Sequence, residues 1–127
     1  MIKGKEAAVN TIIGEGATIE GDIRLDGNIL VYGNIIGNIE TKGTITIAAG
    51  ADIKGKLIGN DILISGNVEG NIYAVGRVAL SNKANLKGDV TAKTISIEEG
   101  AKFEGRCDMK GYKPSKESEK IDKKTSL

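Results

Sequence analysis

Apolar and polar residues alternate along most of this chain in short runs, and the runs recur. The unit is apolar-x-Gly-x-apolar: Ile19 and Ile23 around Gly21, Ile35 and Ile39 around Gly37, Ile53 and Leu57 around Gly55. It continues with Val68 and Ile72 around Gly70, Leu86 and Val90 around Gly88, and Phe103 and Cys107 around Gly105. Successive units begin 16, 18, 15, 18 and 17 residues apart. Between them sits a second element, apolar-x-apolar: Ile29/Val31, Ile45/Ile47, Ile62/Ile64, Val78/Leu80 and Ile95/Ile97. Six copies result, the last of them truncated.

Alternation with period two predicts strands, because successive side chains point to opposite sides. Gly, Asn and Asp close each run, and these residues accept the backbone angles of tight corners. Strands this short cannot bury an apolar side alone, so the copies must stack on one another. The expectation is an all-β fold: a single-stranded parallel β-helix of about six short coils, roughly triangular in section. At about 4.8 Å per coil, six coils make a rod roughly 29 Å long. Its interior is four columns of aliphatic residues, one through each apolar position of the repeat. The central glycine marks either a bend or an inward place too cramped for a Cβ.

A rod has two ends, and each offers an open strand edge over an uncapped core. At the C-terminal end stands Phe103, the single phenylalanine, followed by Cys107 and Met109. At the other end Thr11, Ile12 and Ile13 begin the stack. Phe103 either closes the core or forms an end-to-end contact with a second subunit. Cys107 falls on an apolar column and reads as a small buried hydrophobe. Leu30, Tyr32 and Tyr73 sit one place from inward residues and are expected outside, as a modest patch for a partner.

Charge sets the boundaries. Residues 14 to 110 carry 11 basic and 13 acidic side chains, whereas 111 to 127 carry five lysines against three acids and the one proline, Pro114. Residues 1 to 13 are read as a flexible N-terminal segment, 14 to 110 as the β-helix and 111 to 127 as a disordered polar tail.

Composition removes most chemistry. With no histidine among 127 residues, the usual physiological-pH acid/base and the histidine-dependent nucleophile systems are absent. One cysteine makes neither an internal disulfide nor a thiolate zinc cage. No metal or other cofactor is expected, and no enzyme activity. A net charge of +1 argues against nucleic acid as a partner. No apolar run reaches membrane-spanning length and no signal peptide is evident. The glycines fall at coil period, and no Gly-Lys-Ser/Thr occurs, so nucleotide binding is not expected. The spacing does not hold the strict six-residue period of left-handed hexapeptide acyltransferases, and Thr44-Ile45-Thr46 alone fits an ice-binding ladder.

The stretches GATIEGDI, GADIKGKL, NVEGNI, NLKGDV and GAKFEG, in register over residues 14 to 110, resemble the bactofilin family of bacterial cytoskeletal proteins. The resemblance implies a right-handed triangular β-helix that polymerises without nucleotide into non-polar filaments through its terminal windings. It also implies a joint built on a phenylalanine in the last winding, where Phe103 stands, and Cys107, Ile12 and Ile13 are expected beside such joints. Family members commonly attach to the inner face of the cytoplasmic membrane through a short N-terminal peptide, and often scaffold cell-wall enzymes that set cell shape. Met1, Ile2, Lys3 and Lys5 resemble that peptide, with Ile2 where a phenylalanine is often found. The expected localisation is therefore cytoplasmic, peripheral on that membrane. The competing expectation is a small non-polymerising solenoid whose faces bind a partner enzyme.

Overall fold

The computed structural model describes residues 9–109. Three parallel sheets of six strands each form the sides of a solenoid, and no helix occurs among the described residues. The first face holds Val9–Ile13, Asn28–Val31, Thr44–Ile47, Asp61–Ile64, Arg77–Leu80 and Thr94–Ile97. The second holds Thr18–Glu20, Asn34–Ile36, Asp52–Lys54, Asn67–Glu69, Asn85–Lys87 and Lys102–Glu104. The third holds Ile23–Leu25, Ile39–Thr41, Leu57–Gly59, Ile72–Ala74, Val90–Thr91 and Cys107–Asp108. Each coil visits the three faces in turn, and every strand pairs with its equivalents in the adjacent coils, on both sides in the middle coils and on one side in the first and last.

The pairing register places the apolar repeat in columns. Ile35 lies beside Ile53, Val68 beside Leu86, and Leu86 beside Phe103 on the second face. Ile39, Leu57, Ile72, Val90 and Cys107 follow on the third. The first face carries two columns, through Ile29, Ile45 and Ile62 and through Val31, Ile47 and Ile64. Side chains of the middle coils are almost wholly removed from water, Ile35, Ile45, Leu57, Ile72 and Leu86 at 0% exposure. Fully burying one such side chain contributes about 1.5–3 kcal/mol, and stiff branched chains on a pleated surface pack with little rotamer loss.

The solenoid begins before residue 14. Val9–Ile13 is a full strand of the first face, and Thr11 and Ile13 head the columns through Ile29 and Val31. Counted from there, the sixth coil has all three of its strands and is not truncated.

Uneven coil length is absorbed at corners. Between the first and second faces the chain turns in two residues at Tyr32-Gly33 and Ser65-Gly66. It takes four at Gly14–Ala17, Ala48–Ala51, Ser81–Ala84 and Glu98–Ala101, each closed by a backbone hydrogen bond such as Ala51 N–H to the Ala48 carbonyl at 3.1 Å. An inward small residue ends every one of these corners: Ala17, Gly33, Ala51, Gly66, Ala84 and Ala101. A Cβ on Gly33 or Gly66 would come within 2.5 Å of a carbonyl oxygen in the preceding coil, so the shorter corners require glycine.

At the corner between the second and third faces the glycine is both a bend and a close approach. Gly37, Gly55, Gly70, Gly88 and Gly105 all have φ between +145° and +151°, and a Cβ on each would run into the carbonyl of the glycine one coil earlier. The next residue ties the coils with its side chain. Asp22 Oδ1 accepts the Asn38 N–H at 3.1 Å, and Asn38 Oδ1 accepts the Lys56 N–H at 2.9 Å. Asn71 then accepts from Asp89, and Asp89 from Arg106, both at 3.1 Å.

Candidate polymerisation interface

The ends of the rod are where the columns run out. In the last coil Ile95 and Phe103 are only partly covered, packed on one side against the core, while Ile97 is 46% exposed. Cys107 is exposed as well. The sequence pattern placed it correctly on its column, beside Val90, but as a buried residue. The correction has a plain cause: among the described residues no seventh coil stacks on it. Met109, 56% exposed, follows at the same end. Residual burial raises the Cys107 thiol above its ordinary value by desolvation, so the nucleophilic thiolate is scarce at neutral pH. Alkylation by iodoacetamide is expected to be slower than for a free thiol at pH 7, and to accelerate as pH climbs through and beyond the ordinary thiol range. A rate equal to that of free cysteine at pH 7 would contradict this.

The first end is less open. Ile13 is 9% exposed and faces inward, with Ile19, Ile23 and Leu25 partly covered beside it. Ile12 alternates outward and is 61% exposed on the side of the rod rather than over its core. Thus Ile13 shares the end layer of the first coil, Ile12 flanks it, and Phe103 and Cys107 lie at the opposite end. No single chain brings the four together. Met1, Ile2, Lys3 and Lys5, like the tail 111–127, lie outside the described residues.

Among the described residues, the three strands of each terminal coil have a neighbouring strand on one edge only. The other edge presents N–H and C=O groups to any strand that can add to it. An apolar layer framed by open strand edges on three sides can accept another such layer, stacked at coil spacing. Among the described residues no group of three or more His, Cys, Asp or Glu side chains is placed to hold a metal, and no helix is long and apolar enough to cross a membrane.

The bactofilin family model, described as polymer-forming cytoskeletal, matches residues 11–108. The chain belongs to the bactofilin family. The match spans the solenoid from its first strand to its last, the bactofilin domain and the coil stack being the same object. No curated protein and no solved structure matches the chain significantly. As a bactofilin the chain is a member of a polymer-forming cytoskeletal family.

Two interior columns of this bactofilin escaped the sequence pattern. One is the small-residue column at the corner of the first and second faces. The other runs through Leu25, Thr41, Gly59, Ala74 and Ala92 on the third face, its last four members buried. Thr41 is the one buried polar side chain among the described residues. Its hydroxyl donates to the Gly27 carbonyl and accepts the Gly43 N–H at 3.1 Å, satisfying it without water. The available signal was a small residue two places after Ile39, Leu57, Ile72 and Val90.

Proposed function

We propose that this bactofilin self-assembles end to end, without nucleotide, into non-polar filaments joined through its terminal coils, and that the filaments lie at the cytoplasmic membrane and scaffold proteins that determine cell shape. The observation that carries the reading is the last coil: Ile95, Ile97, Phe103 and Cys107 form an apolar layer that the described residues leave uncovered. Joining like ends is favoured by charge. Continuing the helix head to tail would set Glu104 over Glu20 of the next subunit in one column of the second face, and like charges directly opposite are destabilising. Electron microscopy of the purified chain without nucleotide tests the proposal. Long thin filaments are expected; small uniform particles would overturn it. Burial of the last coil also predicts that Cys107 in pelleted polymer alkylates more slowly than in soluble chain.

Membrane attachment rests on Met1, Ile2, Lys3 and Lys5. Each lysine near an anionic surface contributes about 1 kcal/mol, so one copy binds weakly, and a filament presenting many copies binds by avidity. Deleting residues 1–5 is expected to abolish co-sedimentation of the polymer with anionic liposomes while filaments still form. Undiminished co-sedimentation of the deleted form would remove the membrane role.

A further inference from the structure

The outward side of the first face differs from the other two. Its central row runs the whole length of the rod as Ile12, Leu30, Thr46, Leu63, Ala79 and Ser96, in pairing register and without a charge. The second face shows Glu20, Lys54, Glu69, Lys87 and Glu104 to water with Ile36 among them, and the third carries the Arg24–Glu40 ion pair at 3.6 Å. The uncharged row is also graded in size, bulky toward the first coil and small toward the last. We propose that two copies of this chain pack first face against first face with their rod axes antiparallel.

The grading selects the orientation. A two-fold axis along the strand direction sets the first coil of one copy over the sixth of the other. Ile12 then meets Ser96, Leu30 meets Ala79 and Thr46 meets Leu63, so every bulky side chain opposes a smaller one. Parallel axes would instead set Ile12 on Ile12, Leu30 on Leu30 and Leu63 on Leu63, holding the sheets apart where Ala79 and Ser96 leave space. Along the flank the antiparallel arrangement places Arg77 opposite Asn28 and Asp61 opposite Thr44, with no like charges facing. Such a contact is isologous, as closed pairs require, and it lays the two sheets at ordinary stacking distance.

The area sets its strength. A face about 29 Å by 13 Å covers on the order of 400 Å² per copy, half of the about 800 Å² per partner of a standard stable interface. One pair is therefore weak, and the contact accumulates along filaments, a consequence that rests on the end-to-end reading. Filaments should associate sideways where single subunits scarcely do.

Cross-linking tests the geometry with or without polymer. On a Cys107→Ser background, Leu30→Cys/Ala79→Cys places thiols three coils apart, about 14 Å, beyond the roughly 7 Å Cα reach of a disulfide within one chain. A short two-carbon bis-methanethiosulfonate, which bridges thiols across stacked sheets but does not span the three coils within one chain, is expected at high concentration to give at least tenfold more covalent dimer than either single variant. Equal dimer from Leu30→Cys alone would make the axes parallel and overturn the proposal, as would no dimer from the double variant. Filaments without the cross-link fail the lateral contact alone; the cross-link without filaments fails the end-to-end reading alone. As a second readout, Ala79→Lys should convert laterally paired filaments into single ones in electron micrographs. Unchanged pairing, or loss of liposome binding with pairing intact, would overturn the assignment of this face to a second copy.

Discussion

Phe103→Arg is expected to abolish filaments while leaving a folded solenoid. In the lone subunit Phe103 packs on Leu86 from one side and is partly open on the other, so an arginine there can turn its guanidinium to water. In a joint that escape closes. An unpaired charge held in an apolar interface costs about 3–5 kcal/mol, which at about 1.4 kcal/mol per decade raises the concentration needed for polymer by roughly 10²–10⁴-fold. Electron microscopy and pelleting, beside a circular-dichroism spectrum, separate the two effects. Filaments of undiminished length from a folded variant would remove the last coil from the joint. Loss of the β spectrum would instead mean that Phe103 holds the coil itself, and Phe103→Leu, which keeps the apolar layer, should then restore both.

Gly70→Ala is expected to unfold the protein or lower its melting temperature by about 20 °C or more. Gly70 has φ +145°, and an added Cβ would drive into the Gly55 carbonyl beneath it. Backbone strain alone costs about 1–3 kcal/mol. The overlap is with backbone tied into the stack on both sides, which cannot swing away as a side chain could, and together they reach the exceptional class above about 4 kcal/mol. Each kcal/mol moves the midpoint by about 4–8 °C in a domain of this size. Gly21→Ala is the control: φ is +125°, but nothing lies within 4 Å of the added methyl because no coil precedes it. Its loss should be only the strain. Thermal melts showing equal losses at the two positions would refute the stacking explanation.

The coil stack was legible because the repeat reports it redundantly. Ile35, Ile53 and Val68 need no neighbouring information to be placed in one column once the glycine after each is aligned, and the register found is the one the alignment demands. The first strand was harder, since Thr11 interrupts an aliphatic column and Val9–Ile13 has no glycine unit before it. Corner lengths were visible only as uneven spacing. What they do, exchanging Ala51 for Gly66 as four residues shrink to two, depends on how near the carbonyl beneath lies, and no local pattern carries that distance. Cys107 shows the limit most clearly. Its column was readable, but its exposure depends on its place in the last of the described coils, which is a property of the stack and not of the residue.

Because each coil touches only the coils above and below, this bactofilin is a one-dimensional lattice in which stability is a sum of coil terms and nearest-neighbour couplings. Its contacts are made one coil apart in sequence, so any coil can nucleate and growth proceeds both ways without long loop closure. Fraying enters at the two coils that have one neighbour instead of two. An end-to-end joint of the kind proposed would supply the missing coupling, making a terminal coil an interior site of a longer lattice. In such a polymer assembly and folding would draw on the same interaction, and the filament would protect its subunits from unfolding by having fewer ends per coil.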